Sequence, residues 1–460
     1  MTTRLRVALV FLMAPLALAT VSRADGDAVR LVSQNGAGLL RTIDVNGDVD
    51  LSNPFFQDLG TNGRRCVTCH QPSDGWTVTP AHLQERFTAS RGTDPIFHSN
   101  DGSNCEGVDT ARGGRRGAYS MLLTKGVIRV ELAVPTGAEF DVIAVDDPYR
   151  CGAPLQSLSL YRRPLPATNL RFLSAVMWDG RESSASTTIL QDLAQQANDA
   201  TLGHAQASLD LTPAQQQQIV AFETGLYTAQ ARDNDAGRLG ADGAAGGPHA
   251  LSSQPFAIGV NDPIGLNPTG AAFDQDAFTL YDAWQALRGS RHDPELEARR
   301  AIARGQQIFN TRPITIQGVG GLNGETFSNG VRVPDSFTGS CSVCHDAPNA
   351  GDHSVKAPLN IGLTDASRRT PDLPLYTLMN RATGATIQTT DPGRAMISGK
   401  WADIGKFKGP VLRGLAGRAP YFHNGSAATL GDAVDFYDQR FNMQLTPQEK
   451  SDLIAFLRAL

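Results

Sequence analysis

The chain has 460 residues, 41% hydrophobic and 19% charged, with a net charge of −5. This composition excludes a disordered tail, a collagen-like repeat and a small disulfide knot, and the slight acidity argues against a nucleic-acid partner, which selects a basic face. With 46 glycines and 26 prolines the sequence promises many loops, over a length that suits about two or three domains.

Residues 1–24 read as an export signal. Arg4 and Arg6 form a short positive end, Val7 to Ala19 an apolar run too short to cross a bilayer, and Ser22 and Ala24 the small residues of a cleavage site. No later stretch approaches about 18 unbroken apolar residues, so no membrane span is expected after signal removal. The mature chain is expected to be periplasmic.

Next comes Cys66-Val67-Thr68-Cys69-His70, and the same pattern returns as Cys341-Ser342-Val343-Cys344-His345. Two cysteines with two residues between them, followed by His, form the c-type haem attachment motif. Each thiol adds across one vinyl group, and the next residue turns back to the iron. The two copies predict two covalently bound haem c groups, attached at Cys66, Cys69, Cys341 and Cys344, with His70 and His345 as iron ligands. A redox pair or a zinc site is the competing reading. Both are disfavoured by the trailing His and by the lack of a second cysteine pair nearby.

Cys105 and Cys151 remain, and in an oxidising compartment two leftover cysteines pair. Between them Ile128, Val130, Leu132 and Val134 alternate with Arg129, Glu131 and Ala133. After the turn signal Pro135-Thr136-Gly137, Phe140, Val142 and Ala144 alternate again. This predicts a β-hairpin within a 105–151 insertion, stapled at its base.

An internal repeat follows. Leu211-Thr212-Pro213 leads to Ile219-Val220-Ala221-Phe222, and Leu445-Thr446-Pro447 leads at the same spacing to Leu453-Ile454-Ala455-Phe456. Thr is a good N-cap, Pro suits the first helical position, and Gln215 or Glu449 completes a capping box, so each half closes on an amphipathic helix. The expected fold is mostly α: two cytochrome c-like haem domains with an inserted β-hairpin. The N-terminal domain covers 25–232, a linker or long loop 233–290, and the C-terminal domain 291–460, which opens on a helix over Glu295 to Phe309.

Four further segments carry a family resemblance. Asp391-Pro392-Gly393-Arg394, Gly405 to Arg413 and Ala419-Pro420-Tyr421-Phe422-His423-Asn424-Gly425-Ser426, together with Met177-Trp178-Asp179-Gly180-Arg181, resemble the bacterial di-haem cytochrome c peroxidase and MauG superfamily. The resemblance implies a peroxide-reacting haem on His70, an electron-transfer haem on His345, and Trp178 as the ring between them. A buried Trp in a core is the plainer reading of that residue. Where peroxidases place a Met ligand on the second haem, this sequence has Tyr437, as MauG-type members do. Core packing on an amphipathic helix is its other reading, and Met443, Met396 and Met379 are alternative ligands. His82 and His98 are the only histidines soon after His70 that offer a distal ligand, and an open iron is the competing state. The family's distal Gln and Glu correspond to Gln196 and, in place of the acid, Gln206. His204 stands two residues earlier as a substitute. Trp76 is expected near the haem edge.

The family's inter-domain calcium uses an Asn side chain and two backbone carbonyls. The carbonyls map to Arg418 and Pro420 and the Asn maps near Arg163. An arginine side chain has no acceptor atom, so calcium is possible but not supported.

The function expected is an exported peroxidase-like oxidoreductase that takes electrons from a small cytochrome or copper protein to reduce hydrogen peroxide. The alternatives are a MauG-like or di-haem oxygenase-type enzyme acting on a protein side chain or organic substrate, and a non-catalytic electron-transfer cytochrome.

Overall fold

Capping sets where the helices start. In the computed structural model, which describes residues 30–108, 114–290 and 292–460, Thr212 and Thr446 each accept a hydrogen bond from the backbone three residues on. Gln215 and Glu449 reach back to close the boxes. Helices Pro213–Gly225 and Pro447–Arg458 follow, each with Pro in its first turn, as the repeat predicts. Thr188 and Thr429 open helices Ile189–Gly203 and Leu430–Phe441 in the same way. Asp293 caps Pro294–Thr311, the helix expected from Glu295. The expected export signal lies outside the described residues.

The expectation of a mostly α fold is corrected. Helices of either kind make up 30% of the described residues, and strands with bridges make up 17%, in several small sheets. The strands are β1 (Arg30–Asn35), β2 (Gly38–Asp44), β3 (Ile128–Ala133), β4 (Phe140–Asp146), β5 (Ser157–Arg162), β6 (Leu226–Asp233), β7 (Gly237–Arg238), β8 (Ile314–Gln317), β9 (Ser336–Gly339), β10 (Leu375–Asn380) and β11 (Thr386–Thr389). They form one four-stranded sheet, β1-β2-β6-β7, one three-stranded sheet, β11-β10-β4, and the pairs β3-β5 and β8-β9. The reason is non-local pairing. β2 meets β6 from Gly38↔Asp233 to Asp44↔Leu226, across most of the N-terminal half, and helical periodicity carries no trace of such a partner.

The inserted hairpin is corrected too. β3 and β4 exist where alternation places them, but they do not pair with each other. β3 pairs with β5 (Ile128↔Arg162), and β4 pairs with β10 from the far half of the chain (Phe140↔Asn380). Pro135-Thr136-Gly137 is a corner between two sheets. Alternation shows that one face of a strand is buried and is silent on which neighbour supplies the ladder. The Cys105–Cys151 disulfide is present.

The largest core cluster gathers Phe278, Tyr281, Trp284, Phe309 and Phe456. Much of the 233–290 segment is irregular, yet its Leu239, Phe278, Tyr281 and Trp284 are fully buried there. In this cluster Pro294–Thr311 lies against Pro447–Arg458. Gly305 permits the approach, because a Cβ there would sit 2.0 Å from the Asp452 carbonyl oxygen. Arg304 locks the contact with a two-pronged ion pair to Asp452 (2.7 and 3.0 Å). Gly305→Ala is expected to lower unfolding free energy by about 1–3 kcal/mol, measured in denaturant, because the obstacle is backbone and cannot swing aside.

Candidate active site

The two Cys-x-x-Cys-His motifs fold into the same local structure. The His70 N–H donates to the Cys66 carbonyl (3.0 Å), and that of His345 donates to the Cys341 carbonyl (3.1 Å), so each motif is one tight turn. His70 Nδ1 bonds the carbonyl of Trp76 (3.0 Å), and His345 Nδ1 bonds that of Gly351 (2.7 Å), six residues on in both cases. A backbone carbonyl on Nδ1 fixes the ring and leaves Nε2 for a metal, as in most histidine-ligated metal sites. Burial lowers both imidazole pKa values, partly offset by these bonds, and so favours the neutral ligand form.

The internal repeat builds the backing of each ring. Phe222 packs at a tilt on Phe55, whose ring lies 6.2 Å from His70; Phe456 packs on Phe309, which lies 6.0 Å from His345.

Each histidine and its cysteines line a cavity, of about 1580 Å³ at His70 and about 1810 Å³ at His345, open mouths included. The free thiols at the wall, the pinned imidazoles and the apolar linings fit a c-type haem in each. Arg163, Trp178, Lys408, Pro410 and Arg418 line both cavities and so form a common wall. Trp178 is fixed there: its Nε1 donates to the Arg163 carbonyl (2.8 Å), and its own carbonyl accepts from Lys408 N–H (2.8 Å).

The first cavity collects Gln196 and His204 with His70; Gln206 turns away and meets Asn62 at the surface (3.3 Å). His82 is bonded to Asp74 and His98 to Asn100, and neither lines the cavity. Trp76 is buried outside it, its Nε1 on Thr42, and serves His70 through its carbonyl.

Sequence reasoning missed Asp101 and Arg64. His204 Nδ1 bonds Asp101 (2.5 Å), and the Arg64 guanidinium binds the other carboxylate oxygen. Burial alone would raise the Asp101 carboxyl, but the His204 bond and charge, with Arg64, hold it below its ordinary value. The result is a carboxylate-oriented imidazole facing the cavity. Asp101 carries no motif, so only its fold neighbours reveal it.

Glu223 was also missed. It lines the first cavity, is 6% exposed, and leaves Oε2 without a partner. Its counterpart in the repeat, Leu457, lines the second cavity.

In the second cavity Leu430, Ala433, Val434 and Tyr437 present one helix face, and Met443 joins them; Met396 and Met379 lie in the β4–β10 region and do not line it. Burial, then the neighbouring thiols Cys344 and Cys341, raise the Tyr437 phenol above its ordinary pKa. His423, 1% exposed, stacks on Phe407 (4.1 Å) and is pushed down to about 4 by burial.

Against known proteins, no protein-family model matches. The cytochrome-c peroxidase IdrP2 of Denitromonas iodatirespirans is 37% identical over 132 residues, 26% of this chain and 36% of that protein. The cytochrome-c peroxidase IdrP1 of Pseudomonas sp. (strain SCT) is 29% identical over 205 residues, 39% of this chain and 53% of that protein. The chain is a relative of the bacterial cytochrome-c peroxidases. The resemblance to the di-haem cytochrome c peroxidase and MauG superfamily is thereby borne out. The chain spans between about a third and half of the length of these curated relatives. A solved MauG-like protein associated with microbial copper homeostasis aligns over 89% of this chain and 86% of its own, at 16% identity and a TM-score of 0.40.

Glu223 sets a pH dependence. Burial pushes its carboxyl up to about 8, so the folded chain holds a proton that the unfolded chain has released. The native state then binds more protons between the ordinary carboxylate range and about pH 8, and stability falls as pH rises through that window. Glu223→Gln should flatten this part of the stability profile of the haem-loaded protein. An unchanged slope in denaturant titrations from about pH 5 to about pH 8 would count against a buried neutral acid.

Proposed function

We propose that the protein is an exported, periplasmic oxidoreductase carrying two covalently bound haem c groups, which reduces hydrogen peroxide in the His70 cavity with electrons entering at the His345 cavity from a small cytochrome or copper protein. The observation that supports this most is the common wall: two cavities, each with the haem attachment set, meet across Trp178. Among the described residues no helix is long and apolar enough to cross a membrane.

Haem c, when bound, supplies one-electron redox chemistry and an iron that accepts peroxide. The chain's own residues do the rest. His204, held in one tautomer by Asp101 and Arg64, uses its other ring nitrogen to take the peroxide proton and return it to the oxygen that leaves as water. Gln196 offers a neutral carboxamide to orient the peroxide. Trp178 provides the contact between cavities. Two electrons and two protons convert each peroxide to two waters.

Tyr437 favours a second reading. A phenolate ligand stabilises ferric iron, whereas a Met ligand raises the potential. Its place in the second cavity supports a MauG-like or di-haem oxygenase-type enzyme that spends the oxidant on a protein side chain or organic substrate.

The primary test counts covalent haem: two per chain should survive acid-acetone extraction, and one or none sinks the proposal. Asp101→Asn should then lower peroxide kcat/KM by about 10²-fold or more with both haem spectra intact, the loss typical of an impaired general base. Tyr437→Phe separates the readings. A changed spectrum at the second haem with loss of substrate oxidation supports the MauG-like one, and an unchanged spectrum assigns Tyr437 to packing.

A further inference from the structure

Arg163 follows β5 and is 6% exposed, inside the wall common to both cavities. Its guanidinium bonds backbone carbonyls alone. Nη1 donates to the Lys125 carbonyl (2.9 Å), and Nη2 donates to the carbonyls of Val78 (2.8 Å) and Arg418 (3.0 Å). Among the described residues no carboxylate lies within ion-pair distance of it. These three oxygens come from the segment after Trp76, the end of helix Ser120–Lys125, and the loop before Tyr421. The Arg163 backbone adds two more ties, its N–H to the His423 carbonyl (2.6 Å) and its carbonyl to Trp178 Nε1 (2.8 Å).

A cation surrounded by neutral backbone oxygens from separate segments is the chemistry of a calcium site. Here the cation is covalently part of the chain. The space around it is shaped for the side chain: a Cβ on Gly126, which has φ +60°, would fall 2.5 Å from Nη1. Burial and the nearby Arg418 charge pull the guanidinium down to about 10, a lowering that Asp74 only partly offsets from beyond ion-pair distance. What offsets the cost of burying this cation is the pairing of three carbonyls that would otherwise be buried without donors. A calcium ion does not fit beside it. The Arg418 carbonyl is already in use, and Arg163 and Arg418 place two positive charges where a divalent ion would sit.

We infer that the Arg163 guanidinium is a built-in replacement for an exchangeable divalent cation at the junction of the two cavities. The junction is therefore independent of calcium, and shortening this side chain opens the carbonyl cage to calcium. The inference concerns the junction alone and stands whether or not the protein turns over peroxide.

The test uses the full-length haem-loaded protein. Wild type should bind no calcium by calorimetry at this junction. It should keep its Tm and haem spectrum both in EGTA and in about 5 mM calcium, above the range of weak extracellular sites. Arg163→Asn, which supplies a ligating oxygen in place of a charge, should have a lower Tm in EGTA and regain it with calcium but not with magnesium. Arg163→Lys should stay blind to calcium, because an ammonium still occupies the oxygens. A structural role without cation mimicry would lower the Tm of Arg163→Asn with no recovery by calcium, and that result overturns the inference. Should Arg163→Asn fail to fold, the wild type decides. Binding of one calcium with a shift in Tm or spectrum refutes the proposal, and its absence together with calcium-blind Arg163→Lys upholds it.

Discussion

Arg162 is the residue on which the arrangement of the two cavities turns. It is 2% exposed, and its guanidinium grips Asp391 with two prongs (2.8 and 2.9 Å) while binding Asp179 with the remaining nitrogen. Arg181 adds a second cation to Asp179 (3.2 Å), and Arg394 donates to the carbonyls of Asp179 and Gly180. Burial would raise the Asp179 carboxyl, but Arg162 and Arg181 hold it below its ordinary value. Such a cluster is strongly interdependent, since removing one member leaves uncompensated charge in the interior. It also fixes neighbours on both sides. Trp178 precedes Asp179 and Arg163 follows Arg162, so two residues of the wall between the cavities are chain neighbours of this one cluster.

The repeat supplies two frames of the same plan, which then diverge in polarity. Phe222 and Phe456 play matching parts behind His70 and His345. Around the first histidine the chain adds Arg64, Asp101, His204 and Glu223; the helix face toward the second carries Leu430, Val434 and Tyr437. The first histidine thus has an acid–imidazole cluster beside it, while the helix face toward the second is mostly apolar.

Local features were legible in the sequence and long-range ones were not. The attachment motifs, the Thr-capped helices and the Cys105–Cys151 pair all depend on residues close together or on a count of cysteines. The partners of β3 and β4 depend on which distant strand lies alongside, and Val142 reads the same beside β3 as beside β10. Of the distal candidates, Gln196 and His204 reach the cavity because helix Ile189–Gly203 turns its inner face there. Gln206 lies past the helix end at a positive φ of 54°, a change of direction that no periodicity announces. Asp101 and Glu223 were invisible because a lone acid in a sequence is ordinarily solvated. Only burial makes either one chemically distinct.

The six cysteines are sorted by where the fold leaves them. Cys105 and Cys151 come together and are oxidised to each other. Burial drives the thiols of Cys66, Cys341 and Cys344 up to about 12, so at neutral pH almost none of them is in the thiolate form that attacks a disulfide. Before the proposed haem groups are attached, that difference disfavours attack of these thiols on the Cys105–Cys151 bond. Once joined to haem as proposed above, the sulfurs at the cavity walls have no thiol left to exchange, and the single cross-link stays where the chain first closed it.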